Sequence, residues 1–268
     1  MKMKKKHLDE LLDFSLKLVK KSEKITLKYF SGKIKHKLKK NLSPVTVADI
    51  KCEDYLIGKI NSKYPKHSVL AEENGVIDNN SEFKWIIDPL DGTKNYIRNH
   101  PFWGTLLALE WEGEVILGVI SMPALGETIY AVKGGGCFYN GKKAKVSKIE
   151  NLKNSYCLFG SLEMILPELY KNNFMKIVSN SLYSRGFGDC HGHSFIINGR
   201  AEFMIDPHVA PYDIAATKIC VEEAGGMLTE INGNNNIYSG SALISNGKVH
   251  DEVLKILNSG FESRETLK

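Results

Sequence analysis

Apolar residues recur three and four positions apart near the start of the chain, at Leu8, Leu11, Leu12, Leu16, Val19, Ile25 and Tyr29, with Ser15 on the same stripe. That period predicts an amphipathic helix over 8–29 that lies on a sheet. A second stripe, Ile50, Cys52, Tyr55, Leu56 and Ile60, predicts another helix with Asp49 at or near its start. A lysine-rich turn is expected between them, over 31–40. Ser68-Val69-Leu70-Ala71 reads as a short strand that ends in Glu72 and Glu73, with Gly75 allowing a turn and 78–81 a polar loop. Trp85-Ile86-Ile87 reads as a buried strand. Pro89 cannot donate to a ladder and Gly92 tolerates positive φ, so the strand is expected to stop there and bend. Runs over 102–109, 115–122 and 127–132, joined by turns such as Glu112-Gly113-Glu114, predict an antiparallel meander. In the second half, the pattern predicts a strand over 152–159, a helix near 163–176, a strand at 203–206 before Pro207, and a helix over 210–223 stopped by Gly225-Gly226. A strand at 242–245 and a helix over 250–257 close the pattern.

This mixture of periods fits an α/β chain, read as a single domain over 1–268 with subdomains at about 1–150 and 151–268. With 268 residues, 43% hydrophobic and 25% charged, it can bury a sizeable core. The net charge of +5 comes largely from the first forty residues, where Lys2, Lys4, Lys5, Lys6, Lys33, Lys35, Lys37, Lys39 and Lys40 cluster. These lysines lack the interleaved aromatics of a single-strand binder, so they read as a solvated face and no nucleic-acid partner is expected. Asp9, Glu10, Asp13 and Lys17 interrupt the only segment that could follow them as a leader, and no apolar run is long enough to span a membrane. Five widely spaced cysteines with no Cys-x-x-Cys pair suggest neither zinc nor a disulfide framework; a reducing cytoplasm is the expected setting. Gly134-Gly135-Gly136 lacks the Lys-Ser/Thr ending of a phosphate-binding loop and reads as a turn. His191 and His193, two apart, point in different directions on a helix and do not suggest a zinc pair.

The chemistry concentrates in Asp88-Pro89-Leu90-Asp91-Gly92-Thr93-Lys94-Asn95-Tyr96. Two carboxylates held this close repel each other unless a cation lies between them, and oxygen-only ligands favour a hard ion such as magnesium. Gly92 and Thr93 could open a helix whose free N–H groups attract a phosphate. Taken alone, four of these residues would better describe a turn with solvated carboxylates.

The whole string resembles the inositol monophosphatase superfamily, magnesium-dependent and lithium-sensitive phosphatases. Three further matches follow the family's order: Val45-Thr46-Val47-Ala48-Asp49, Glu72-Glu73, and Tyr212-Asp213-Ile214-Ala215-Ala216 before Glu223-Ala224-Gly225-Gly226. Tyr212 stands where the family has Trp, a change that keeps an aromatic. The resemblance spans 46–226 and implies the layered α/β/α/β/α sandwich shared with fructose bisphosphatases. It implies that Glu72, Asp88 and the Leu90 carbonyl hold one magnesium, and Asp88, Asp91 and Asp213 a second. It further implies that Thr93 with Asp49 positions the attacking water, that Glu73 assists through a third ion, and that the N–H groups of Gly92 and Thr93 grip the phosphate. Paired ions about 3.5 to 4 Å apart suit such hydrolysis. Arg185-Gly-Phe-Gly-Asp189-Cys190 and Gly199-Arg200-Ala201-Glu202 resemble the branch that hydrolyses histidinol phosphate. Arg185, Asp189, Asp206 and Asn95 are the expected substrate contacts, because a cationic leaving group suits Asp189 and Asp206 whereas a neutral polyol leaves Asp189 unpaired. Histidinol phosphate is ranked ahead of an inositol or sugar monophosphate and of a bisphosphonucleotide. An idle metal-binding scaffold is the contrasting reading, and the filled catalytic positions speak against it. By resemblance a homodimer is expected.

Overall fold

The computed structural model describes residues 5–165 and 168–259. Lys2 and Lys4 of the basic run, and positions 166 and 167 of the helix expected near 163–176, lie outside the described residues. Helix α1 (Lys5–Tyr29) and helix α2 (Val47–Lys63) flank a two-stranded antiparallel ribbon, β1 (His36–Leu38) with β2 (Pro44–Thr46). The expected lysine-rich turn therefore contains a strand. Helix α2 opens on a capping box: Thr46 Oγ1 accepts from the Ala48 N–H at 3.0 Å, and Asp49 Oδ2 accepts from the Thr46 N–H at 2.8 Å.

Eight strands form the larger sheet: β3 (Ser68–Ala71), β4 (Gly75–Ile77), β5 (Phe83–Asp91), β6 (Gly104–Trp111), β7 (Glu114–Met122), β8 (Glu127–Val132), β9 (Gly136–Tyr139) and β10 (Lys142–Lys143). Their order is β10-β9-β8-β7-β6-β5-β3-β4, all antiparallel except β3 beside β5. The expected meander is present. The expected stop at Pro89 is not: β5 runs on to Asp91 through a bulge, since Asp88 pairs with Leu106 and Asp91 with Gly104. Pro89 and Leu90 thus oppose Thr105 alone. A bulge absorbs the missing proline donor without ending the strand, and Thr105 Oγ1 donates to the Pro89 carbonyl at 2.9 Å. Helix α3 (Thr93–Tyr96) follows as a single turn.

The smaller sheet contains β11 (Tyr156–Phe159), β12 (Tyr183–Gly186), β13 (Phe203–Asp206), β14 (Met227–Thr229) and β15 (Ala242–Ser245), ordered β12-β11-β13-β15-β14. The strand expected over 152–159 begins only at Tyr156, because Leu152–Asn154 form a 3-10 turn. Helices α4 (Leu162–Ile165), α5 (Glu168–Asn180), α6 (Asp189–Ile197), α7 (Pro211–Glu223) and α8 (His250–Leu257) complete the chain.

Alternation within the strands assigns the layers. Trp85 and Ile87 join Leu11, Leu56, Leu107 and Leu117 under α1 and α2. Ile86, on the opposite face of the same strand, joins Leu106, Ile120, Leu158, Met204, Ile214 and Ile219 around α6 and α7. Burial on both faces explains why the run is apolar without interruption. Phe203, Ile205 and Leu243 face the other way, toward Phe174, Ile177, Val253 and Leu257 of α5 and α8. The layers are α1/α2, eight-stranded sheet, α6/α7, five-stranded sheet, α5/α8, the expected α/β/α/β/α sandwich. All five cysteines are buried and free. Among the described residues no helix is long and apolar enough to cross a membrane.

Candidate active site

The bulge in β5 turns the side chains of Asp88 and Asp91 toward the N-termini of α6 and α7. Asp88, Asp91 and Asp213 bring carboxylate oxygens within 4.8 Å of one another, as do Asp49, Glu72 and Glu73. Asp88 is 2% exposed and lies at the centre. Burial, and then the charges of Glu72, Asp91 and Asp213, push its pKa well above the usual carboxylate range. Asp91 is pushed up by burial, Asp189 and Asp213, partly countered by hydrogen bonds from the Cys190 thiol and from the Cys190 N–H, the latter donating to its Oδ2 at 2.5 Å. Asp213, at the third position of α7, accepts from the Ala210 N–H at 2.7 Å; burial pushes it up to about 6. Charges this crowded in low dielectric stay ionised only with a cation among them. Among the described residues no lysine, arginine or histidine forms an ion pair with Asp88, Asp91 or Asp213. A hard divalent ion fits this all-oxygen donor set.

Thr93 Oγ1 lies 3.2 Å from Asp49 Oδ1 and 2.9 Å from the Leu90 carbonyl oxygen, so its hydroxyl stands between one acidic cluster and the bulge of β5. Gly92 holds φ at 80°, and a Cβ there would meet the Phe102 carbonyl at 2.8 Å. Only glycine fits this close approach.

A cavity of about 380 Å³ opens above these groups. Glu72, Asp88, Asp91, Asp189, Asp206 and Asp213 line it, against Lys94 as the one lining lysine. Leu90, Gly92, Thr93 and Asn95 also line it, whereas Asp49 and Glu73 do not. Asn95 Nδ2 donates to Asp189 Oδ2 and to the Phe102 carbonyl, both at 3.1 Å. Asp189 sits at φ 57°, a strained conformation for a non-glycine residue, which aims its carboxylate at Gly92. Burial, Asp189 and Asp213 push Asp206 up to about 7. Of the expected substrate contacts, Arg185 is not brought to this cavity. It stands exposed on β12 and donates to the neighbouring Ser184 carbonyl at 2.7 Å.

Two further residues belong to the site. Lys39, expected on a solvated face, instead donates to Glu72 Oε1 at 2.8 Å and to Glu73 Oε1. Burial works against its charge, but the two glutamates more than offset this and hold its pKa above the ordinary value. Burial still dominates at the glutamates, lifting Glu73 to about 7. Glu53 is fully buried and accepts from the Glu73 N–H at 3.0 Å, the Asn74 N–H at 2.7 Å and Asn74 Nδ2 at 2.9 Å. It fixes the turn that carries the glutamate pair. Its place on the buried stripe of α2, four residues after Asp49, was the available signal.

The profile of the Inositol monophosphatase family matches residues 7–260. The histidinol-phosphatase of Chlorobaculum parvum is 35% identical over 255 residues, covering 94% of this chain and 98% of that protein. The fructose-1,6-bisphosphatase/inositol-1-monophosphatase of Thermotoga maritima is 34% identical, covering 94% and 97%. A solved Thermotoga maritima IMPase superposes with a TM-score of 0.85 at 32% identity, over 95% of this chain and 99% of that one. The fold, the order of its motifs and these similarities agree, and the chain belongs to the inositol monophosphatase family of phosphatases.

Proposed function

We propose that this chain is a magnesium-dependent phosphatase that hydrolyses histidinol phosphate. The observation that carries the reading is the pair Asp189 and Asp206, two carboxylates in the cavity wall with no ion-pair partner among the described residues. Ions held by Glu72, Asp88, Asp91, Asp213 and the Leu90 carbonyl would offset the charge of that group; Asp189 has only the charge of Lys94, not ion-paired with it, set against its burial, and Asp206 feels no cation. A leaving group bearing an ammonium and an imidazole supplies a positive charge for Asp189 and a ring N–H for Asp206. A polyol does not, and would leave buried carboxylates uncompensated.

Magnesium at the acidic cluster would neutralise charge on the phosphate and make water nucleophilic near neutral pH. The side chains do the positioning. Thr93 Oγ1, donating to Asp49 Oδ1, keeps lone pairs free to receive an O–H of the attacking water. The N–H groups of Gly92 and Thr93 hold phosphate oxygens. Asp189, kept in place by Asn95, accepts from the substrate's cation. Water attacks phosphorus, the P–O bond to the alcohol breaks, and the leaving oxygen takes up a proton, giving inorganic phosphate and a free amino alcohol. Glu73 assists at the edge of the cluster.

Three further properties belong to this proposal: inhibition by millimolar lithium, assembly as a homodimer, and residence in the cytoplasm, where five free cysteines stay reduced. The decisive experiment measures phosphate release from histidinol phosphate, inositol monophosphates, fructose bisphosphate and adenosine bisphosphate. Histidinol phosphate is expected to have the highest kcat/KM. A clear preference for inositol phosphates would reject the substrate and leave the phosphatase standing.

A further inference from the structure

Two helices begin at the cavity, each with a carboxylate in its first turn: Asp189 on α6 and Asp213 on α7. One turn along each, at the fourth residue on, lie His193 and Thr217, on the same helix faces as the carboxylates. The two are joined by a 2.8 Å hydrogen bond between His193 Nδ1 and Thr217 Oγ1. His193 is 1% exposed, yet it lines the cavity, and its Nε2 is buried with no hydrogen-bond partner among the described residues. A buried polar atom in this state costs free energy unless something else satisfies it.

The hydrogen bond to Thr217 Oγ1 leaves two choices for the proton on His193. If the hydroxyl donates to Nδ1, it is satisfied, and the only orphan is an N–H at Nε2. If Nδ1 donates to the hydroxyl instead, both the hydroxyl hydrogen and the Nε2 lone pair are left over. The first arrangement leaves fewer buried groups unpaired, so Nε2 carries the hydrogen. Burial pushes the imidazole down to about 3, which keeps the ring neutral across the physiological range.

Resting on the histidinol phosphate reading above, we infer that His193 is a specificity-determining residue of the leaving-group pocket, its Nε2–H donating to the lone pair of a neutral azole nitrogen on the substrate. A neutral azole has one N–H and one lone pair. The cavity offers a match for both, with a carboxylate at Asp206 for the N–H and the His193 donor for the lone pair, while Asp189 takes the ammonium. A polyol offers hydroxyls, which either group could bind, but it has no cation for Asp189. Thr217 acts as the positioning residue that sets the tautomer.

The test compares His193→Leu and His193→Gln with the unmodified enzyme on two substrates: histidinol phosphate, and 2-aminopropyl phosphate, which keeps the ammonium and lacks the ring. His193→Leu is expected to raise KM for histidinol phosphate about ten- to a hundredfold, as for a lost hydrogen bond. KM for the ringless substrate and kcat for both should move less than about threefold. His193→Gln, which restores an N–H donor, should recover most of the affinity. Equal loss on both substrates would assign His193 a structural role and overturn the inference. If the leucine variant does not fold, the ring ¹⁵N signals of His193 in the unmodified protein decide the matter. They should report an Nε2–H tautomer and shift on adding histidinol but not 2-amino-1-propanol; an Nδ1–H tautomer, or no selective shift, would overturn the assignment. Preference of the unmodified enzyme for inositol phosphates would instead reject the underlying substrate reading, an outcome separable from the others.

Discussion

The backbone N–H of Cys190 donates to Asp91 Oδ2 at 2.5 Å across 99 positions of sequence. One partner ends a strand of the larger sheet and the other opens α6, so the aim of a proposed metal ligand depends on how the two halves of the chain pack. Because this donor is a backbone amide, it survives removal of the thiol, which also hydrogen-bonds to Asp91. Cys190→Ala should cost about 1 to 2 kcal/mol of stability through a small cavity, with magnesium affinity changed less than about threefold. Asp91→Asn should weaken magnesium binding at least about tenfold. Calorimetric titration of both variants checks the contrast; equal losses would mean that the cysteine side chain holds the site.

Asp88 feels three other carboxylates. Asp88→Asn removes a carboxyl that burial and these neighbours make costly to ionise, so in chelator the variant should melt a few degrees above the unmodified protein, as expected for about 1 kcal/mol in a chain of this size. In magnesium its turnover should fall by about a hundredfold or more. A variant with unchanged turnover would remove the metal mechanism.

Thr93 touches Asp49 and the Leu90 carbonyl and sits at the start of α3. Thr93→Val keeps its shape and deletes the hydroxyl. Turnover should drop about a hundredfold, within the usual range for a lost proton-handling contact, while magnesium affinity changes by less than about threefold. Loss of affinity instead would make Thr93 an ion-holding residue.

Acid groups with raised pKa make the chelated protein less stable as pH rises. Burial lifts Glu73 and Asp206 to about 7 and Asp213 to about 6. Between the ordinary carboxylate range and these values the folded state binds more protons than the unfolded one, so unfolding free energy falls with increasing pH. Melting temperature in chelator should decline from pH 5 toward pH 8, and magnesium should abolish most of the decline. A flat profile in chelator would show that these groups ionise freely.

Part of this site was legible because four of its acids stand at visible breaks in pattern. Asp88 and Asp91 follow the apolar run of β5, Asp213 opens a helix after Pro211, and Glu72 ends a strand. The layered fold followed from resemblance, while hydrophobic period alone showed only mixed helices and strands. Continuation of β5 through Pro89 was not legible, because the bulge depends on Thr105 of the neighbouring strand. Lys39 looked like one more lysine in a basic run; its partners lie 33 and 34 positions away, on a strand end that no local pattern connects to it.

Glu53 illustrates the same difficulty, a helical acid whose role appears only once the turn after β3 is folded against it. Glu53→Ala would leave the N–H groups of Glu73 and Asn74 without their acceptor, a loss of about 2 to 5 kcal/mol. Thermal melting should register it as a drop of about 5 to 15 °C. Glu53→Gln, which keeps one acceptor oxygen, should lose less than half as much; equal losses would point to the charge and not to the hydrogen bonds.

Lys39 changes how an ion enters the glutamate side of the site. Its ammonium already occupies Glu72 and Glu73, so a divalent ion arriving there replaces a resident monovalent charge instead of filling a bare anionic hole. The local charge then rises by one unit where two would otherwise be added, if the lysine withdraws as the ion binds. Loading becomes an exchange, and its equilibrium depends on where the ribbon β1/β2 can place the displaced side chain. Under the proposed metal mechanism the sequence of that ribbon, and not only the carboxylates, would set how readily the site loads and releases its ion.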